Sequence, residues 1–89
     1  MRFEWDPDKA RRNLSKHKVS FEEAMTVLYD PLAATFDDQE HSNDECRFIT
    51  IGYSTKGHLL VVSHSEREDA IRIISARFAT ARERKRHDT

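Results

Sequence analysis

The sequence predicts an α+β domain, with the order β-α-α-β-β-β-β-α and a small antiparallel sheet packed on an N-terminal helix pair. Three observations predict it. Apolar residues up to Leu28 recur at helical spacing, and those from Ala33 to Phe78 recur at a spacing suited to strands. Helix-start signals stand at Asp6, Ser20 and Thr80. A chain of 89 residues is large enough for one core and too small for two, so residues 1–89 form a single domain.

The elements follow in order. Arg2-Phe3-Glu4-Trp5 alternates as a short strand, and Asp6-Pro7 then supplies an N-cap with proline at the first helical position. Ala10, Asn13, Leu14 and His17 share one face of that helix, leaving Lys9, Arg11, Arg12 and Lys16 outward. Ser20 and Glu23 have capping-box spacing, with Val19 placed to staple the first turn of a second helix whose stripe is Phe21, Ala24, Met25 and Leu28. Pro31 ends it. Ala33 to Asp37 is a short strand, the acidic segment after it a loop, and Arg47 to Ser54 a strand with Ile49, Ile51 and Tyr53 on one face. Thr55-Lys56-Gly57 makes a hairpin turn into His58–Ser65, which is apolar on both faces as a central strand should be. Glu66 to Asp69 turns again, Ala70 to Phe78 is the last strand, and Thr80 with Glu83 caps a final helix.

Charge is segregated along the chain. The first 36 residues balance, residues 37–45 hold five acids and no Lys or Arg, and residues 46–89 hold nine Lys or Arg against five acids. A basic C-terminal half attracts polyanions. The one cysteine, Cys46, cannot form an internal disulfide, which fits a reducing cytoplasm. No signal peptide or apolar run of membrane-spanning length is present. Gly52 and Gly57 are the only glycines, so no glycine-rich nucleotide loop exists. None of His17, His41, His58, His64 and His87 stands four residues from another, so no helical metal pair is expected and no cofactor is called for.

Arg72-Ile73-Ile74-Ser75-Ala76-Arg77 carries the most chemistry. On a regular strand, spacing five puts Arg72 and Arg77 on opposite pleat faces, so only one of them fronts a substrate. A half-buried guanidinium needs an anion, and its planar fork suits carboxylate or phosphate. The partner is RNA phosphate or an internal acid such as Glu66, Glu68 or Asp69. His64 adjoins the turn bearing Glu66 and Arg67 on the strand expected to pair with Arg72 and Arg77, which makes it a candidate for proton transfer; the alternative is a structural histidine. Glu83 and His87, four apart on the last helix, are an auxiliary acid-base pair or an ordinary exposed pair.

Phe3-Glu4-Trp5-Asp6, the run Lys16-His17-Lys18-Val19-Ser20-Phe21-Glu22-Glu23-Ala24, and Arg72 to Arg77 together resemble the BrnT toxins of bacterial type II toxin-antitoxin systems. The resemblance implies a RelE-like fold, metal-independent endoribonuclease activity that inhibits translation, and neutralisation by a BrnA-type antitoxin with a DNA-binding domain. Under it His64, Arg67, Arg72 and Arg77 are the candidate catalytic residues, Lys56 and Arg82 contact RNA, and DNA is reached only through the antitoxin. The chain departs from the family pattern at Lys18, where glycine is usual, and at His87, where tyrosine is usual. A second function class is a non-catalytic module that docks a DNA-binding partner for autoregulation, which the charge split also suits. A direct DNA reader lacks a polar helix free of core duties.

Overall fold

The structure, a computed structural model, describes residues 2–39 and 46–89. Its elements come in the predicted order: β1 Arg2–Glu4, α1 Pro7–His17, α2 Phe21–Val27, β2 Ala34–Asp37, β3 Arg47–Tyr53, β4 Leu59–Arg67, β5 Ala70–Phe78 and α3 Ala81–Asp88. Most of the acidic segment, including Glu40, His41, Asp44 and Glu45, lies outside the described residues. No described helix is long and apolar enough to cross a membrane.

Each predicted helix start is capped. The Asp6 carboxylate accepts from Asp8 N, Ser20 Oγ accepts from Glu23 N at 3.0 Å, and Thr80 and Glu83 complete a reciprocal capping box. The Ser20 box is only half built, because the Glu23 carboxylate turns away to Ser54 and His58. α1 closes on Lys18 with φ 62°, the left-handed conformation that glycine takes without a Cβ clash. Leu14, expected on the apolar face of α1, is 50% exposed, and Asn13 is buried in its stead. The Asn13 amide donates to Val19 O and Ala76 O and accepts from Ala76 N, tying α1 to the edge of β5 beyond the reach of β1.

The strands form one sheet in the order β1-β5-β4-β3-β2. β2 to β5 are the predicted antiparallel meander, but β1 joins β5 in parallel, so the sheet is mixed. β4, apolar on both faces in sequence, is indeed central. One face packs on the helix pair, where Val19, Phe21, Ala24 and Val27 meet Leu60, Val62, Ile73 and Ala76. At about 1.5–3 kcal/mol for each large buried side chain, this layer is the main source of stability. Gly52 sits where α2 crosses the sheet, and a Cβ there would lie 2.8 Å from the Ala33 side chain. Leu59 and Val61 are buried on the opposite face, the one toward which α3 folds.

β4 runs on to Arg67 and makes a tight turn through Glu68, which takes φ 46° in a place usually given to glycine or asparagine. More consequential is a β-bulge. Ser63 pairs with Ser75 and His64 pairs with Ile73, leaving Ile74 as an extra residue in β5. The inserted residue changes the parity of the strand. Arg72 pairs with Ser65 and Arg77 with Val61, two residues four apart on the regular strand β4. Both arginines therefore lie on the face away from the helix pair, which corrects the expectation of one cation on each face.

Candidate functional site

The face away from the helix pair divides into two halves. One is basic and polar: Arg72 and Arg77 on β5, Ser63, Ser65 and Arg67 on β4, and Ser75 between the arginines share it by register. The Ser65 hydroxyl is buried there with no hydrogen-bond partner. The other half is an apolar groove of about 560 Å³, floored by Ala34, Phe36, Ile49, Ile51 and Val61 and rimmed by Glu83, Arg86 and His87 of α3.

Arg77 stands at the boundary and α3 is fastened through it. Its two terminal nitrogens donate to Glu83 Oε1 and Oε2 at 2.8 and 3.0 Å, and one of them also donates to Phe78 O at 3.2 Å. The fork therefore finds its carboxylate on α3 and not on the Glu66, Glu68 or Asp69 turn. Hydrogen bonds from Arg77, and then from the Thr80 amide, hold the Glu83 carboxyl down to about 2. A carboxyl so placed stays ionised at neutral pH and moves no proton there. Glu83 pairs with Arg77 and Thr80 and has no contact with His87 of the kind the helical spacing suggested. His87 packs instead against the Tyr53 ring, 5.9 Å between centroids, while Tyr53 OH donates to Asp88 at 2.9 Å. That hydrogen bond raises the Tyr53 phenol above its ordinary value.

Arg72 is half-buried between Ser65 and Glu4 in the ladder, with no hydrogen bond or ion pair to a described residue. About 13 Å of strand separates it from Arg77, from a rise of about 3.3 Å per residue along the paired strand. Arg67, at the end of β4, belongs to the same face. Arg82 is exposed on the first turn of α3, and Lys56 is exposed in the β3–β4 turn.

His64 lies elsewhere. It projects into the helix-covered face with Leu60 and Val62, is 2% exposed, stacks on Phe48 at 5.8 Å, and has Nε2 2.8 Å from Thr50 Oγ1. Burial pushes its imidazole below the ordinary value, so the ring is neutral. The sheet separates it from Arg67, Arg72 and Arg77, and it cannot reach an atom that they hold.

Sequence reasoning missed one cluster. Glu23, Ser54 and His58 converge at the hairpin end of the sheet, with Ser54 Oγ 2.6 Å and His58 Nδ1 2.8 Å from Glu23 Oε2. Capping-box spacing at Ser20 and Glu23 assigned the carboxylate a local role and so concealed this tertiary one.

A family model described as ribonuclease toxin, BrnT, of type II toxin-antitoxin system matches residues 5–83. The crystal structure of the Brucella abortus ribonuclease toxin BrnT is similar, with a TM-score of 0.69 and 24% identity over 90% of this chain and 97% of that one. No curated protein matches. The match spans the N-terminal strand exit, both packing helices, strands β2 to β5 and the Arg77–Glu83 link, and this chain belongs to the BrnT family of ribonuclease toxins of type II toxin-antitoxin systems.

Proposed function

We propose that the protein is a RelE-like, metal-independent endoribonuclease that works in the cytoplasm on RNA laid across the basic half of the sheet. The observation that carries this reading is the bulge at Ile74, which brings Arg72 and Arg77 to one face beside the cations of α3. Cleavage of this kind proceeds by attack of a ribose 2′-hydroxyl on the adjacent phosphate and needs no cofactor. The protein's tasks are to align the attacking and leaving oxygens and to stabilise charge on the phosphorane.

Arg77 is the charge-stabilising residue, aimed by Glu83 and ready to exchange a carboxylate oxygen for a phosphate oxygen. Arg72 and Arg67 hold flanking phosphates, and Lys56 and Arg82 contact the backbone. Glu83 is a positioning residue, and His87 anchors α3 against Tyr53. His64 is a packing residue. A BrnA-type antitoxin neutralises the enzyme, and the exposed apolar groove beside α3 offers the kind of surface that a protein partner covers.

Purified protein incubated with RNA, with and without a chelator, tests the reading. Cleavage that ignores the chelator is expected, and that cleavage should be lost in a folded Arg77→Ala variant. A protein that binds partner but leaves RNA intact is instead the non-catalytic module.

A further inference from the structure

At the end of the sheet away from the β3–β4 hairpin, one row of residues holds a serine whose hydroxyl the fold does not use. Arg47 of β3, Ser65 of β4 and Arg72 of β5 are partners in register, so their side chains stand abreast on the face away from the helix pair. Strands about 4.8 Å apart put the two arginine Cα atoms roughly 10 Å apart with the serine midway. Acids stand only at the ends of the row. Glu4 of β1 pairs with Arg72 in the ladder, and Asp38, whose amide donates to Arg47 O at 2.9 Å, lies beyond Arg47. Ser65 is fully buried, and its hydroxyl has no hydrogen-bond partner among the described residues.

A structural role does not account for this row. A buried hydroxyl without a partner lowers stability, and alanine at position 65 would keep the strand without that cost. Arg72 leaves the carboxylate beside it unused, since it makes no hydrogen bond or ion pair with Glu4. Both features are explained by one anion seated over Ser65. The arginines on either side are half-buried, and each is long enough to turn toward the middle of the row. A phosphodiester has two free oxygens, one for each guanidinium fork, with lone pairs left for a hydroxyl between them.

We propose that Arg47, Ser65 and Arg72 form a pocket for one backbone phosphate of the RNA, a subsite that holds the strand in line with Arg77 and takes no part in the chemistry. The proposal rests on the endoribonuclease reading above. The forks close on the phosphate from both sides, and in rising to meet it they uncover the Ser65 hydroxyl, which donates to one of the same oxygens. Val61, the register partner of Arg77, is four residues from Ser65 along β4, about 13 Å of strand. That is more than one nucleotide spans, so the pocket takes a phosphate beyond those that adjoin the cleaved linkage. Ser63 and Ser75, paired with each other on the same face, lie between the pocket and Arg77 and give the intervening backbone a polar floor.

The test uses a short RNA whose cleavage position has been mapped, blocked there by a 2′-O-methyl group for binding measurements, with the phosphates on either side replaced one at a time by an uncharged methylphosphonate. Wild type should lose roughly tenfold in affinity when a linkage not adjacent to the cleaved one is neutralised. Ser65→Ala and Arg47→Ala should bind the intact RNA about tenfold more weakly, with the loss in KM and little change in kcat. In both variants the methylphosphonate penalty should shrink at that linkage and at no other. Without RNA, Ser65→Ala should melt no lower than wild type, because the hydroxyl it removes had no partner. A Ser65→Ala protein that melts lower and binds RNA as wild type does, a methylphosphonate penalty unchanged in folded variants, or a loss confined to kcat overturns the pocket while leaving the ribonuclease reading in place. Wild-type protein that cleaves no RNA overturns both.

Discussion

Arg72 and Arg77 are the same residue on the same strand and the same face, yet they are held in opposite ways. Arg77 is gripped by both oxygens of Glu83, whereas Arg72 stands between Ser65 and Glu4 in the ladder and makes no ion pair with a described acid. A half-exposed ion pair contributes little stability, because water screens it and two side chains lose freedom. Its effect is on geometry: the Arg77 fork is preset in direction, while Arg72 is a charge free to meet a phosphate where it arrives. One cation is built for aim and the other for attraction.

Inserting one residue between Ser63 and His64, opposite Ile74, is the most drastic way to break that equivalence. With the extra residue paired, a β5 that keeps Ala76 and Arg77 in place turns Arg72 toward the helix layer and swings Ile71 and Ile73 outward. Loss of buried isoleucines at about 2–5 kcal/mol each, plus an unpaired buried charge, is comparable with the whole stability of a small domain. The insertion should leave the chain unfolded by circular dichroism, whereas Ile74→Ala, which preserves the bulge, should still melt cooperatively.

Truncating the arginines separates aim from attraction. Arg77→Ala should reduce cleavage by about 10²–10³-fold, the usual cost of a missing transition-state donor, and Arg77→Lys should restore little because an ammonium cannot make the fork. Arg72→Ala should cost only about tenfold, mostly in KM, and Arg72→Lys should recover it, since a phosphate contact needs charge more than shape. Equal losses, or equal rescue by lysine, would mean that the two play one role.

Making Arg77 resemble Arg72 sharpens the contrast further. Glu83→Gln removes the anion, so RNA should bind severalfold more tightly while kcat falls by roughly tenfold as the fork loses its direction. Acid does the same to the unaltered protein. Glu83 has a folded-state value lowered to about 2 from 4.5, so the link is complete above the unfolded value and is lost as pH falls through that interval. Amide exchange in α3 should accelerate over that range and not between pH 5 and 8.

Much of this architecture was legible in the residues. The caps at Asp6, Ser20 and Thr80 act over three or four residues, and the two-sided apolar run Leu59–Val62 can only be a central strand, so both are local facts. Parity of β5 was not legible, because nothing at Ile74-Ser75 marks a bulge; it follows from fitting Ile73 and Ala76 into one core while Asn13 holds the Ala76 backbone. β1 has three residues and no alternation long enough to declare a parallel partner. The Glu23–His58 pair joins residues 35 apart, and only the packing of α2 on the sheet brings them together.

Lys18 supplies the smallest test and a control for the others. Its φ of 62° places a β-carbon in the left-handed region, at a cost of roughly 1 kcal/mol that glycine avoids. The backbone hydrogen bond from Lys18 N to Leu14 O, 3.0 Å long, needs no side chain and survives the change. Lys18→Gly should thus gain about 1 kcal/mol in denaturant unfolding, partly offset by the freer unfolded chain. The substitution touches neither arginine, so stability should rise with cleavage unaltered, which separates folding from charge in every comparison made at Arg72 and Arg77. A fall in cleavage accompanied by the expected gain in stability would instead make Lys18 a further phosphate contact, reached from the helix side of the molecule.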